Sequence, residues 1–209
     1  MRMVLVTGAN GNLGNALVKQ FSERGWKVIA MVSPKANNEM FAGLNNVELC
    51  RADAVSETEV RSAIEKYAQV DAAVLTIGGY AGGKISETTT EQIQEMMRLN
   101  FFTAWNFAKP LFENMMAKQK GNIVLIGSQA GTLLTEGTYA VAYSIAKTAL
   151  AKLAALLNEA GKKKNVFCSL VSPATLDTPQ NRKAMPGADF SQWQKPYAVA
   201  EEIVKMINR

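Results

Sequence analysis

A glycine-rich turn between a strand-like run and a helix-like run constrains this chain more than any other feature. Met3–Thr7 is apolar, and the segment 16–21 repeats apolar residues at helical spacing. Strand, glycine turn and helix in this order form the context of a dinucleotide-binding turn, although an ordinary glycine-rich turn remains the alternative. Helix N-terminal amides would face the phosphates, and glycines would permit the turn and its close approach to a pyrophosphate. The candidate cofactor-binding residues here are Gly8, Asn10, Gly11, Asn12, Leu13 and Gly14.

Strand-like and helix-like segments alternate along the whole chain. The predicted strands are Met3–Thr7, Lys27–Val32, Val47–Arg51, 72–76, 122–127 and Val166–Val171, and most are continuous apolar runs. The predicted helices are Asn12–Glu23, 57–69, 90–118, 138–160 and 197–207. Apolar strands separated by helices predict a doubly wound parallel sheet between two helix layers, a three-layer α/β Rossmann fold. We expect a single domain over residues 1–209.

Two local signals refine the predicted helices. Ser56 and Glu59 have the spacing of a capping box and would open the helix 57–69. Pro110 lies inside the long predicted helix 90–118, which it should kink or divide because proline lacks a backbone N–H.

Tyr143 and Lys147 carry the clearest chemical signal in the second half of the chain. Residues four apart on a helix share a face, so the Lys147 ammonium would lie beside the Tyr143 phenol. A free tyrosine has a pKa of about 10, and a neighbouring cation would lower that pKa. Such a tyrosine can exchange a proton with a carbonyl or imine. Alternatively, the two residues occur together by chance.

Composition excludes several classes of function. The chain has no histidine, which removes Ser-His-Asp chemistry and imidazole-based zinc sites. Cys50 and Cys168 each fall at or in apolar runs and are expected in the core, and no metal site is predicted.

The net charge of the chain is +5, and its densest run of basic residues is 162–164. No aromatic residues interleave with this run, so we expect no nucleic-acid partner. No run of about 18 apolar residues suggests a membrane span, and the glycine turn near the N-terminus leaves no room for a signal peptide. We therefore expect a cytoplasmic protein.

A resemblance to a known family is carried by the glycine turn, Asn100, Ser128, Tyr143 and Lys147. In these residues, and over essentially its whole length, the chain resembles the short-chain dehydrogenases/reductases. In that family these four polar residues form the catalytic set, and the resemblance implies an NAD(P)H-dependent oxidoreductase. It also implies that Asn100 holds a water of a proton relay and that Ser128 contacts the reacting group. The separation of Ser128 from Tyr143 is about two residues longer than usual, an insertion that a loop can absorb.

The same resemblance indicates how the cofactor would be held. Ser33 and Lys35 follow the second strand where NAD-preferring members carry an acid, so NADPH is favoured over NADH; a solvated turn is the alternative. Asp53 matches the acid near the adenine ring, or is a turn residue before a helix. The remaining candidates by this match are Gly78, Gly79, Lys147 at the ribose, Pro173 and Thr178.

A narrower resemblance concerns the substrate. Residues 175–193 are similar to the substrate loop of the quinonoid dihydropteridine reductases, and residues 78–83 are similar to a Gly-Gly-Trp-Ala-Gly-Gly segment of that group. Tyr80 replaces an aromatic residue that would stack on a flat bicyclic substrate. Phe190 and Trp193 would close the pocket or anchor the loop. The predicted reaction is reduction of quinonoid dihydropterin; the alternatives are a carbonyl reductase for another small ketone, aldehyde or alcohol, and a non-catalytic NAD(P)-sensing protein.

Assembly and chain length are also predicted from the resemblance. Apolar residues on two helices exceed what one sheet face needs: Phe101, Phe102, Trp105, Phe107, Ala146, Ala149, Leu150, Leu153 and Leu157. In the family these helices pair across a two-fold axis, so we expect a homodimer or homotetramer. Family members usually continue into a final strand, and none is visible before Arg209, so either this member lacks that edge strand or a tail beyond Arg209 is omitted.

Overall fold

The computed structural model describes residues 1–37, 39–133 and 135–208. Six strands form one parallel sheet in the order β3-β2-β1-β4-β5-β6. They are β1 (Met3–Thr7), β2 (Lys27–Val32), β3 (Val47–Arg51), β4 (Ala72–Leu75), β5 (Gly121–Ile126) and β6 (Val166–Val171). The strand order reverses between β1 and β4, and the predicted doubly wound fold is confirmed.

The helices cover both faces of this sheet. They are α1 (Asn12–Glu23), α2 (Glu57–Glu65), α3 (Thr90–Met97), α4 (Thr103–Lys118), α5 (Gln129–Thr132), α6 (Val141–Gly161), α7 (Pro179–Ala184) and α8 (Pro196–Ile207). Successive side chains of a strand point to opposite faces. Accordingly Leu5 packs in a core with α2, α4 and α6, while Val4 and Val6 pack in a second core with α1 and α8. The predicted three layers are therefore present.

The long predicted helix 90–118 contains an irregular turn, although not at Pro110. A π turn, Arg98–Phe102, separates α3 from α4 and joins them without a break. Helix α4 continues through Pro110, so the prediction that this proline divides the helix was wrong. Helix α3 begins with a complete capping box at Thr89 and Gln92, which was not predicted from the sequence.

Several predicted boundaries shift by a few residues. Helix α2 ends at Glu65 rather than at residue 69, and the predicted helix 138–160 begins at Val141. Ser56 caps α2 as predicted, but the Glu59 carboxylate accepts a hydrogen bond from the N–H of Asp53. Helices α5 and α7 were not predicted because each has six residues or fewer, which is too short to show a helical repeat of apolar residues.

Strand β6 forms one edge of the sheet. Its only strand partner among the described residues is β5, and no strand follows α8 up to residue 208. Arg209 lies outside the described residues. Cys50 and Cys168 are buried free cysteines, as expected. None of the described helices combines the length and apolar character needed to cross a membrane.

Candidate active site

The turn between β1 and α1 has a backbone that only small residues permit. Gly8 adopts a φ of +59°, in the left-handed region that favours glycine. The Gly11 N–H donates a hydrogen bond to the Gly8 carbonyl oxygen over 2.8 Å, which closes the turn. A Cβ atom on Gly14 would collide with that same carbonyl oxygen, so this glycine lets α1 pack closely on β1.

A cavity of about 550 Å³ opens above this turn, at the carboxyl ends of the strands. Ligands of open parallel sheets bind at this edge, where the strand order reverses. Ten of the predicted cofactor-binding residues line the cavity: Gly8, Asn10, Gly11, Asn12, Leu13, Gly14, Ser33, Asp53, Gly78 and Thr178. The apolar part of the wall was not predicted from the sequence, because its residues look like ordinary core positions; it includes Met31, Val32, Ala54, Val55, Ile77 and Leu99. Arg98 and Thr76, which line the same wall, were not predicted either.

The loop after β2 brings Ser33 to the cavity wall, while Lys35 is exposed and is not part of that wall. The guanidinium of Arg51, at the end of β3, is hydrogen-bonded to the main chain of this loop. Its Nη1 atom donates to the carbonyl oxygens of Ser33, Pro34 and Ala36 over 3.0–3.2 Å. A long side chain on the neighbouring strand therefore determines the shape of the loop.

Asn100 lies in the π turn and is completely buried. Its Nδ2 atom donates to the carbonyl oxygens of Gly79 and Met96 over 3.0 and 3.1 Å, and its Oδ1 atom accepts from the Gly79 N–H over 3.2 Å. A Cβ atom on Gly78 would lie 2.6 Å from the Oδ1 atom of Asn100 and 3.5 Å from the Nζ atom of Lys147. The two predicted polar residues therefore meet at Gly78. Gly79 itself lies behind the cavity wall, held by Asn100.

Lys147 extends from α6 toward the end of β5. Its Nζ atom donates to the carbonyl oxygen of Ile126 over 2.8 Å, and the residue is only 5% exposed. Burial disfavours the charged form and lowers the pKa of Lys147 to about 8. The ammonium lies 5.7 Å from the centre of the Tyr143 ring.

Tyr143 lies one helical turn before Lys147 and is half-buried. Burial raises the pKa of its phenol above the usual value, and the nearby Ser128 side chain opposes that rise. The expectation that Lys147 lowers the pKa of Tyr143 is not met in this structure, because desolvation dominates. Ser128 caps α5 and also accepts from the Ala130 N–H over 3.3 Å. The described part of the loop between Ser128 and Tyr143 accommodates the longer spacing.

Tyr80 lies beside Tyr143, and neither residue is among those that line the cavity. The two ring centres are 5.1 Å apart in an edge-to-face arrangement, and Tyr80 is 70% exposed. The loop that carries Tyr80 is tied to the start of α6, because the Gly83 N–H donates to the Tyr139 carbonyl oxygen over 2.8 Å. An aromatic face is thus held next to a phenol and remains open to solvent.

The segment after β6 approaches the glycine turn through α7. Thr178 is buried, caps α7 and lines the cavity. The Asn12 side chain donates to the Oε1 atom of Gln180 over 3.0 Å, which joins α7 to the start of α1. Pro173, another predicted cofactor-binding residue, is half-buried and is not part of the cavity wall.

Phe190 packs within its own loop in this structure. Its ring centre lies 4.7 Å from that of Trp193, and the Arg182 guanidinium lies 4.5 Å above it. Arg182 also pairs with Asp177 through two hydrogen bonds. Phe190 therefore does not line the cavity, and this arrangement corresponds to the alternative that these aromatic residues anchor the loop.

The described residues fit a dinucleotide. The glycine turn leaves the first amides of α1 facing the cavity, where phosphate oxygens can accept hydrogen bonds. The wall then continues from the turn past Ser33 to Asp53 on one side and to Gly78 on the other. A nicotinamide near Gly78 would come close to Lys147 and, beyond it, to Tyr143.

Comparisons with known proteins agree with this geometry. A model of the short chain dehydrogenase family matches residues 2–189. Dihydropteridine reductase of Dictyostelium discoideum is 31% identical over 210 residues, which cover 96% of this chain and 85% of the relative. The 3-dehydrosphinganine reductase of Danio rerio is 27% identical over 225 residues, covering 97% of this chain and 67% of the relative. The solved structure of ElxO with NADP bound is similar in fold, with a TM-score of 0.88 at 19% identity, covering 100% of this chain and 92% of that chain. This chain belongs to the short-chain dehydrogenase family and is an NAD(P)-dependent oxidoreductase.

Proposed function

We propose that this protein is an NADPH-dependent reductase of quinonoid dihydropterin. The observation that carries the proposal is the pairing of the exposed Tyr80 ring with the Tyr143 ring, whose centres are 5.1 Å apart. A flat bicyclic substrate can lie against an aromatic face while its polar edge reaches a phenol. The 31% identity to the Dictyostelium dihydropteridine reductase supports the same substrate class.

Tyr143 would donate the proton of this reduction. Because burial raises the pKa of its phenol, the group stays protonated at neutral pH and can act as an acid. Ser128, whose side chain lies near the Tyr143 phenol, would orient the phenol and contact the substrate atom that receives the proton. NADPH supplies the hydride when it is bound. A quinonoid dihydropterin is reduced easily, so positioning and one proton would suffice.

Lys147 and Asn100 would serve the proton supply behind Tyr143. One donor of the Lys147 ammonium is occupied by the Ile126 carbonyl oxygen, and an ammonium has three donors. The others can reach a ribose hydroxyl or a water near Gly78, where Asn100 also faces. With its pKa lowered to about 8, Lys147 can exchange a proton with such a water near neutral pH.

The preference for NADPH rests on the loop after β2. Ser33 lines the cavity and no carboxylate lies in 31–35, so a 2′-phosphate meets a hydroxyl and no repelling acid. Lys35 and Arg51 add positive charge near this loop. Both would favour the phosphorylated cofactor through long-range attraction.

A second candidate is reduction of another small carbonyl compound. The nearness of the Ser128 side chain to the Tyr143 phenol favours it, because two hydroxyl groups can together hold one carbonyl oxygen. The relative named as 3-dehydrosphinganine reductase illustrates that the family includes reductases with other substrates.

A spectrophotometric screen tests the proposal. Oxidation of NADPH and of NADH would be followed with quinonoid dihydropterin generated in the cuvette and with a panel of small ketones and aldehydes. We expect the pterin to give the highest kcat/KM, and we expect Tyr80→Ala to lower that value more than the value for any carbonyl. Turnover of a ketone with no turnover of the pterin would establish the second candidate instead.

A further inference from the structure

The cavity wall contains a cation that the sequence analysis did not predict and that the reaction does not use. Arg98 begins the π turn and lines the cavity together with Leu99. The residues after β3, namely Asp53, Ala54 and Val55, line the same cavity, and the Asp53 carboxylate is near enough to raise the pKa of Arg98. We call the space between the Arg98 guanidinium and this largely apolar segment the slot, and a flat, electron-rich ring would suit it.

The order of groups in a dinucleotide indicates which ring would enter this slot. Phosphates belong at the amides of the turn from Gly11 to Gly14, and the adenosine ribose belongs at Ser33. The base is attached to that ribose, so it must fall beyond Ser33, over the segment 52–55. Arg98 is the cation among the described residues that line the cavity, and it comes from the π turn between α3 and α4.

The Arg98 guanidinium is held in one orientation. Its Nε and Nη2 atoms each donate to a carboxylate oxygen of Glu95 over 2.7 Å, a bidentate pair that fixes the plane of the group. The carboxylates of Glu95 and Asp53 both raise the pKa of Arg98, so the charge is retained at every relevant pH. With one edge bound to Glu95, the faces of the guanidinium remain available for stacking.

We propose that Arg98 covers the adenine base of the cofactor with its guanidinium face, and that Glu95 is the positioning residue that keeps this face over the slot. The inference rests on the proposed use of the cavity for NADPH. It adds a binding residue on the face of the base opposite the segment 52–55. The alternative is that Arg98 and Glu95 form only a solvated ion pair on the helix surface.

Calorimetric titration of the full-length chain with ADP, without substrate, tests the role of Arg98. A guanidinium stacked on a ring at a partly exposed site is worth about 0.5–2 kcal/mol, so Arg98→Ala should weaken ADP binding about two- to thirtyfold. Arg98→Lys should lose part of this affinity, because an ammonium keeps the charge and lacks the plane. Glu95→Gln should cause a smaller loss, because the arginine remains but is less well oriented.

The control is Arg61→Ala, which removes another exposed arginine paired with a glutamate, Glu57, on α2 outside the cavity. ADP affinity should be unchanged in this variant. Loss of affinity in Arg98→Ala no greater than in Arg61→Ala would overturn the proposal, as would equal affinity in Arg98→Lys and the unmodified protein. If Arg98→Ala does not fold, as judged by circular dichroism, Arg98→Lys and Glu95→Gln decide the question. Absence of ADP binding to the unmodified protein would overturn the cofactor site itself, whereas failure to reduce dihydropterin would leave this result untouched.

Discussion

The Nζ atom of Lys147 donates a hydrogen bond to the main-chain carbonyl oxygen of Ile126 over 2.8 Å. The carbonyl belongs to the last residue of β5, and the lysine lies on α6, so this contact joins a strand end to the helix that carries Tyr143. The acceptor is a neutral dipole, and burial therefore dominates the pKa of Lys147 and lowers it to about 8. The contact positions a cation without neutralising it.

This low pKa predicts how stability depends on pH. Between about 8 in the folded protein and 10.5, the ordinary lysine value, the unfolded chain binds more protons than the folded one. The free energy of unfolding should therefore rise with pH in this window, and the cost of burying the charge is fully present below pH 8. Relative to Lys147→Met, the unmodified protein should gain about 1–2 kcal/mol between pH 7.5 and 9.5. Urea unfolding of both proteins at the two pH values measures this difference, and parallel pH profiles would contradict the prediction.

Tyr143→Phe should nearly abolish turnover and leave cofactor affinity within a few fold. General acid catalysis typically contributes about 10²- to 10⁴-fold to the rate, whereas the pyrophosphate depends on the glycine turn. Lys147→Ala should reduce both turnover and affinity, since its ammonium is expected to contact the ribose. Steady-state kinetics and cofactor titration separate the two effects. Near-normal kcat in Tyr143→Phe would reject the proposed mechanism.

Gly78→Ala should lower activity sharply. The added Cβ atom would lie 2.6 Å from the Oδ1 atom of Asn100 and 3.5 Å from the Nζ atom of Lys147, so at least one of these groups must move. Overpacking of this kind costs about 1–3 kcal/mol of stability. Gly187→Ala is the matched control, because no atom lies within 4 Å of its Cβ position. The measurements are kcat/KM and the midpoint of urea unfolding; equal results for both variants would be inconsistent with this account.

Cofactor choice should respond to charge at Ser33. Ser33→Asp places a carboxylate in the cavity wall and should raise the KM for NADPH at least tenfold while improving the use of NADH. Lys35→Ala should raise the KM for NADPH alone, and by less, since Lys35 is exposed and outside the wall. Initial rates with both cofactors measure the ratio. Equal effects of Lys35→Ala on both cofactors would identify Lys35 as an ordinary surface lysine.

A symmetric dimer is predicted through α4 and α6, and of the residues expected on this surface Phe102 and Trp105 are exposed. Phe107, Ala146, Leu150 and Leu153 are buried within the subunit. The exposed apolar residues in this region are Phe102, Trp105, Ile145 and Leu156. An apolar patch on this surface favours association. Light scattering at micromolar concentration should give a multiple of 22.7 kDa, and Trp105→Glu should shift it toward the monomer. A single 22.7 kDa particle for the unmodified protein would count against assembly.

Most of the fold could be predicted because strands buried on both faces leave a strong apolar signal. The runs Met3–Thr7 and Lys27–Val32 coincide with β1 and β2, which are almost wholly buried, and the run Val166–Val171 coincides with the more exposed edge strand β6. The π turn at Arg98–Phe102 could not be predicted, since an extra residue per turn depends on the buried amide of Asn100 and its contacts with Gly79. Pro110 gave a misleading signal, because a proline inside a helix is tolerated when the surrounding core holds it.

The candidate site was predictable where chemistry requires an unusual residue and unpredictable where it requires an ordinary one. Gly8 and Gly14 have backbone constraints that glycine alone satisfies, so the turn was visible in the sequence. Ile77 and Leu99 line the same cavity and resemble core residues. The pKa of Tyr143 was expected to fall because the spacing of the two residues predicts that Lys147 lies nearby. The spacing does not reveal that Tyr143 is buried or that Lys147 is hydrogen-bonded to the Ile126 carbonyl oxygen.

The π turn between α3 and α4 also limits the insertions and deletions that this region can accept. One residue more or fewer in an α-helix rotates everything beyond it by about 100°. Deleting one residue from Arg98–Phe102 would therefore turn Asn100 away from Gly79 or swing the apolar face of α4 off the sheet. Surface residues near the turn can be substituted one at a time. The number of residues in the turn can change only if both the site and the core change with it.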